Sequence, residues 1–238
     1  MDKSKRTFTA IDKTYVSHQK ATVHTLKKSN ESTEIEVIKR LIQGVQKSQR
    51  GFLHIQHAAD ELFSMQSAKH NLLLAKRLYD SESYQLRSLA VFILGRLAAK
   101  SNESIIFLKL QVSQDTDWHV TETLAKAFNR YCADIGYEDA LPVVKEWLAD
   151  ADPNVRRAVT EGLRVWTRRP YFFKHPAIAI QLLSALRNDH SAYVRDSVGS
   201  ALRDISKNHP ILVKNELAKW DMTMNGIIQT HKIASKYL

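Results

Sequence analysis

Apolar residues recur at helical spacing from Ser32 onward, and Ile35, Val37, Ile38, Leu41, Ile42 and Val45 form the first stripe. Steps of three and four residues mark one face of an amphipathic helix. The stretch from Phe52 to Met65 continues the pattern less regularly. Beyond it the spacing predicts helix pairs at 69–79 with 83–99, 102–113 with 117–133, 137–148 with 152–168, 176–187 with 191–207 and 210–219 with 222–236. Only 7 Gly and 5 Pro punctuate the chain, too few for a series of hairpins. Pro153, Pro176 and Pro210 fall where helices begin, a position at which the missing N–H costs nothing.

Four phrases repeat along these pairs, beginning at Asp80, Asp115, Asp150 and Asp189, with spacings of 35, 35 and 39 residues. A helical period of that length predicts an all-α chain, an α-solenoid superhelix of stacked helix pairs. The aspartates sit at turns and are expected to cap the helices that follow. Aligning the phrases on Leu86, Val120, Val155 and Val194 puts Ser88, Glu122, Arg157 and Asp196 two places on. Equivalent slots in successive repeats face the same way, so Glu122 and Arg157 are expected to be neighbours on one concave face.

The remaining composition narrows the partners. Hydrophobic residues make up 44% and charged residues 25% of the chain, as in folded soluble proteins. Thirty-five Lys and Arg against 25 Asp and Glu give a net charge of +10. A large field of one sign attracts polyanions, of which nucleic acid is the commonest in cells. There is no apolar run of membrane-spanning length, so no membrane partner is expected. A lone cysteine, Cys132, fits a reducing cytoplasm and a packing role. His54 and His57 lack carboxylate or thiol companions, and neither a phosphate-binding glycine loop nor a nucleophile elbow is present, so no metal and no cofactor is expected. Residues 1–31 are polar and rich in Lys, Ser and Thr, an arm or a marginal helix ahead of a single repeat domain at 32–238.

Three stretches carry a family resemblance: DTDWHVTETLAKAF, NVRRAVTEGLRVWTRRPY and YVRDSVGSALRDISKNHPILV. They resemble the HEAT-like repeat DNA glycosylases of the AlkC and AlkD type, over about residues 69–220. The resemblance implies a concave basic face that cradles double-stranded DNA; with branched DNA as the alternative partner, a cytoplasmic, nucleoid-associated monomer is expected. It implies hydrolysis that frees cationic N3- or N7-alkylated purines, with a carboxylate stabilising positive charge on the sugar. Position by position, Glu122 matches the AlkD carboxylate and Trp118 its tryptophan. Arg157 matches the arginine that grips the backbone near the lesion, and Glu161 matches the AlkC glutamate. Lys126, Arg164, Arg168, Arg195 and Arg203, with Arg130, Arg156, Arg169 and Lys207, would extend a phosphate track. Arg157, Arg164 and Arg168 share one face of the helix expected at 152–168, which puts Arg164 and Arg168 ahead of Arg169.

The chain departs from the pattern where Ser200 stands in the slot of the second AlkD tryptophan. The 1–31 stretch likewise lacks an equivalent of the family's N-terminal helices. Two other readings therefore stay open: a non-catalytic binder of branched or distorted DNA, and a protein-binding scaffold.

Overall fold

The computed structural model describes residues 35–47 and 51–238. The expected arm at 1–31 and the boundary at 32 lie outside those residues. All regular structure among the described residues is helical. Residues 35–46 form α1, and α2 (Gly51–Met65) follows. The pairs then run α3 (Ala68–Tyr79) with α4 (Tyr84–Leu97), α5 (Asn102–Leu110) with α6 (Trp118–Ile135), and α7 (Leu141–Leu148) with α8 (Pro153–Gly162). A short α9 (Pro170–Lys174) precedes α10 (Pro176–Ser184) with α11 (Ala192–Ser206), and α12 (Pro210–Leu217) with α13 (Asn225–Ala234).

The second helix of each pair builds the inner layer of the solenoid. α2 packs on α4, α4 on α6, α6 on α8, α8 on α11, and α11 on α13. The aligned positions Leu86, Val120, Val155 and Val194 are all buried, as the repeat requires. Leu89, Ile93, Leu124, Phe128, Val159, Val198 and Leu202 continue this spine, each contributing about 1.5–3 kcal/mol of burial. Ser88 is also buried, so the exposed row of charge starts at Glu122. Cys132 lies in the same core, and burial pushes its thiol up to about 12, which leaves it inert at neutral pH.

The repeated aspartates do something other than cap. The caps of α6 and α8 are Asp117 and Asp152, whose carboxylates accept the His119 and Asn154 N–H groups. The leading aspartates lie two residues upstream, where Asp115, Asp150 and Asp189 accept the N–H groups of Asp117, Asp152 and Ser191. The same carboxylates also receive cations from the preceding repeat. Arg87 reaches Asp115 at 2.7 and 3.2 Å, Arg156 reaches Asp189 at 2.6 and 2.7 Å, and Lys109 reaches Asp150 at 2.9 Å. Each arginine also donates to two carbonyls of its own turn, as Arg156 does to Asp150 and Ala151 at 2.8 and 2.9 Å.

Arg195 repeats this geometry on Gln229 Oε1 and on the Asp189 and His190 carbonyls. Arg156 and Arg195, expected on a phosphate track, are thus engaged within the chain. Their guanidinium groups are spent on joining repeats, because a planar fork matches a carboxylate and a turn at once.

A second correction concerns 152–168, which is not one helix. α8 stops at Gly162, where a Cβ would stand 2.3 Å from the Ala125 carbonyl oxygen on α6. Glycine permits that contact and also weakens the helix. Val165 then adopts a left-handed conformation with φ 57°, costly for a β-branched residue, while Leu163 and Trp166 anchor the turn in the core. A 3-10 turn over Trp166–Arg168 follows. Arg157, Arg164 and Arg168 therefore do not share a helix face.

Removing the Arg156 guanidinium leaves the largely buried Asp189 carboxylate without its cation and with only the Ser191 N–H, so Arg156→Ala is expected to cost about 3–5 kcal/mol in denaturant unfolding. Burial pushes the Asp189 carboxyl up, but the Arg156 and Ser191 bonds outweigh it and hold it below the usual carboxylate range. A depressed carboxyl contributes stability above its unfolded value and loses it as pH falls through the folded one. Unfolding free energy should therefore decline below about pH 4, with a shallower slope in Asp189→Asn.

Candidate nucleic-acid interface

The start of α6 is fixed by its own cap. The Asp117 carboxylate accepts the His119 N–H at 2.9 Å and holds the imidazole Nδ1 at 2.8 Å. Burial pushes this carboxyl up, but the bonds from His119, with Arg87 nearby, bring it below its ordinary value. The imidazole is thereby locked between two rings: Tyr84 at 4.1 Å and 17°, and Trp118 at 3.7 Å and 29°. Phe52 of α2 meets the indole edge-on at 6.1 Å. Trp118 nonetheless stays 64% exposed, a flat aromatic surface on a rigid backing.

One helical turn on, Glu122 Oε2 accepts from Arg157 Nη2 across the α6–α8 seam at 3.2 Å. Lys126 stands 3.5 Å from the other Glu122 oxygen and 5.2 Å from the Phe52 ring centre. The repeat period anticipated this pairing of Glu122 with Arg157. Trp118, Arg157, Asn154 and Tyr193 then line a cleft of about 460 Å³. Tyr193, 77% exposed on α11, stands in the slot that holds His119 and Asn154 in the preceding repeats, one place from that of Trp118.

Glu161 is held more tightly. Ser197 Oγ donates to Oε2 and Arg164 Nη1 to Oε1, both at 2.8 Å, while Thr160 Oγ1 lies 2.8 Å from the Ser197 hydroxyl. Arg164 reaches on to Asp204 at 3.2 Å. Glu122, Glu161, Lys126 and Arg164 share the wall of a second cavity, of about 360 Å³, between α2, α4, α6 and the turn after Gly162. Arg96 and Arg169 lie on that wall as well, whereas Arg168 is exposed and does not line it. Arg203 is half-buried on α11. The structure therefore brings Trp118, Glu122, Arg157 and Lys126 together and joins Glu161 and Arg164 to them. Arg168, Arg195 and Arg203 stand apart from this group.

Among the described residues no cluster of His, Cys, Asp and Glu is placed to hold a metal, and no helix is long and apolar enough to cross a membrane.

A stack of helix pairs with cations, carboxylates and an exposed indole gathered on its inner face defines a class, the helical-repeat proteins with a concave basic face. The chain belongs to the family described as DNA alkylation repair enzyme, whose sequence model matches residues 44–237. It is similar to AlkD2 from Streptococcus mutans, with 43% identity, a TM-score of 0.82, and coverage of 86% of this chain and 99% of that one. Its fold is also shared by the alkylpurine DNA glycosylase AlkC of Pseudomonas fluorescens, solved bound to DNA containing an abasic site analog, at 21% identity and TM-score 0.60. That match covers 76% of this chain and 51% of AlkC. A curated relative, YhaZ of Bacillus subtilis, is 36% identical over 78 residues, covering 31% of this chain and 22% of its own length.

The Glu122–Arg157 pair is about a quarter exposed on each side and is joined by one 3.2 Å hydrogen bond, which a glutamine oxygen can also accept. Glu122→Gln is expected to change unfolding free energy by at most about 1 kcal/mol. Gly162→Ala, by contrast, drives a methyl group into the α6 backbone and should cost about 1–3 kcal/mol.

Proposed function

We propose that the inner face binds duplex DNA and that Glu122 serves hydrolytic release of cationic N3- or N7-alkylated purines. The observation that carries this reading is the Glu122–Arg157 pair beside the exposed Trp118, on the face where cations are concentrated. An alkylated purine that carries positive charge is already a good leaving group. What remains is to stabilise charge growing on the deoxyribose and to orient a water, and a fixed carboxylate does both. An indole face attracts the same cation. Arg157 and Lys126 are suited to phosphate, with Arg157 also setting the orientation of Glu122.

Two carboxylates compete for the catalytic role, and their bonding separates them. Both Glu161 oxygens receive hydrogen bonds at 2.8 Å, and that side chain is only 15% exposed. Glu122 has looser partners at 3.2 and 3.5 Å, and a carboxylate with about four acceptor sites retains room for a water. Glu161 is then a positioning residue that ties α8 to α11.

A second reading, recognition of distorted or branched DNA without excision, is favoured by Ser200. That residue offers no aromatic surface where the resemblance implies one.

The test is release of free 3-methyladenine and 7-methylguanine from methylated duplex DNA, with binding followed in the same samples. Wild type should release base above the spontaneous rate, Glu122→Gln should be about 100-fold slower, and Glu161→Gln should stay near wild type in rate. Binding without release supports the second reading, and neither binding nor release overturns both. Affinity should fall steeply with salt, and Arg157→Ala should reduce the log–log slope by about 0.9.

A further inference from the structure

The 360 Å³ cavity contains more cationic machinery than the chemistry at Glu122 requires. Its wall carries five cations, Arg96, Lys126, Arg130, Arg164 and Arg169, against three carboxylates, Asp60, Glu122 and Glu161. The carboxylates are already matched: Asp60 by Arg96, Glu161 by Arg164, and Glu122 by Arg157 from outside the cavity. Arg169 has no carboxylate partner among the described residues; its Nη2 makes one long bond, 3.4 Å, to the Gly162 carbonyl, and its guanidinium also neighbours the Tyr137 and Cys132 side chains. Arg130 bonds Asp134 through Nε alone, which leaves its terminal nitrogens without a carboxylate. Lys126 is held loosely at 3.5 Å. Three under-used cations thus converge on one recess, and the helix break after Gly162 is what turns Arg169 into it.

The shape and size narrow the ligand. About 360 Å³ falls within the ~300–1,000 Å³ of small-molecule sites, more than a bare ion needs. Phe92 supplies an apolar wall, and Gln56 and Asn129 supply amides. A phosphate monoester carries about −1.5 to −2 charges and three terminal oxygens, enough to engage three cations. A backbone diester carries one charge, and its chain must leave in both directions, which suits a track along a surface better than a recess.

Resting on the reading of this face as a DNA-binding one, we propose that the cavity is a nucleotide-phosphate site. It takes the phosphate monoester of a nucleotide unit, at a break in a DNA strand or on a free mononucleotide. Arg169, Arg130 and Lys126 are its ligands.

The experiment measures binding to intact duplex and to duplex with a one-nucleotide gap bearing a 5′-phosphate, a 3′-phosphate or hydroxyl ends. A free deoxynucleoside monophosphate serves as competitor and as a ligand in its own right. Wild type should favour one phosphate end over the hydroxyl end by about tenfold, the gain from a few charge-assisted bonds. Arg169→Gln and the more exposed Arg130→Gln should each bring that ratio close to one, with Arg169→Lys restoring part of it. Mononucleotide that displaces gapped but not intact duplex identifies the shared phosphate chemistry. Equal affinity for phosphate and hydroxyl ends, together with no mononucleotide binding, overturns the proposal while leaving duplex binding standing. Loss of all duplex binding with mononucleotide still bound in an Arg169-dependent way retains the cavity and removes the DNA reading instead.

Discussion

The guanidinium of Arg156 makes four hydrogen bonds, two to the Asp189 carboxylate and two to the carbonyls that begin its own repeat. That one group fixes the distance between two repeats and the conformation of the turn between them. Arg87 and Arg195 do the same before and after it. A solenoid has no single core to set the rotation of one unit against the next, so the setting must come from each interface. Packing of Val120, Val155 and Val194 gives the affinity between layers, and these arginine clamps give the register. Only with the register fixed do Glu122 and Arg157, on different helices, arrive at 3.2 Å.

The site itself depends on a local failure of that regularity. Gly162 allows α8 to press against the Ala125 backbone and then releases the helix. The left-handed Val165 and the buried Trp166 redirect the chain, and the aromatic contact of Trp166 with Phe172 at 4.8 Å secures the new direction. Strain is thus placed beside the cavity and offset by burial nearby. The turn after Gly162 is what brings Arg169 to the wall of that cavity.

Much of this was legible in the sequence because a repeat prints the same requirement several times. The helix pairs, the buried Leu86, Val120, Val155 and Val194, and the adjacency of Glu122 and Arg157 all follow from the period. The clamps were not read from the sequence, although an arginine follows the aligned position at Arg87, Arg156 and Arg195; charge alone favoured a phosphate role for Arg156 and Arg195. What composition hides is where a guanidinium spends its hydrogen bonds, and that is decided by partners about 30 residues away. The break at Gly162 was masked by the apolar spacing of Leu163 and Trp166, which fits a continuing helix equally well. The stack of Tyr84, His119 and Trp118 joins side chains from two repeats, so no single window contained it.

The inner face, around the starts of α6 and α8, is the surface proposed to meet DNA. Amide hydrogen exchange measured with and without duplex DNA tests this most directly. Slower exchange should appear in the first turns of α6 and α8 and in the turn from Gly162 to Arg169, with α5 and α7 unchanged. Protection confined to the outer helices, or no change anywhere at a DNA concentration that saturates binding, would contradict it.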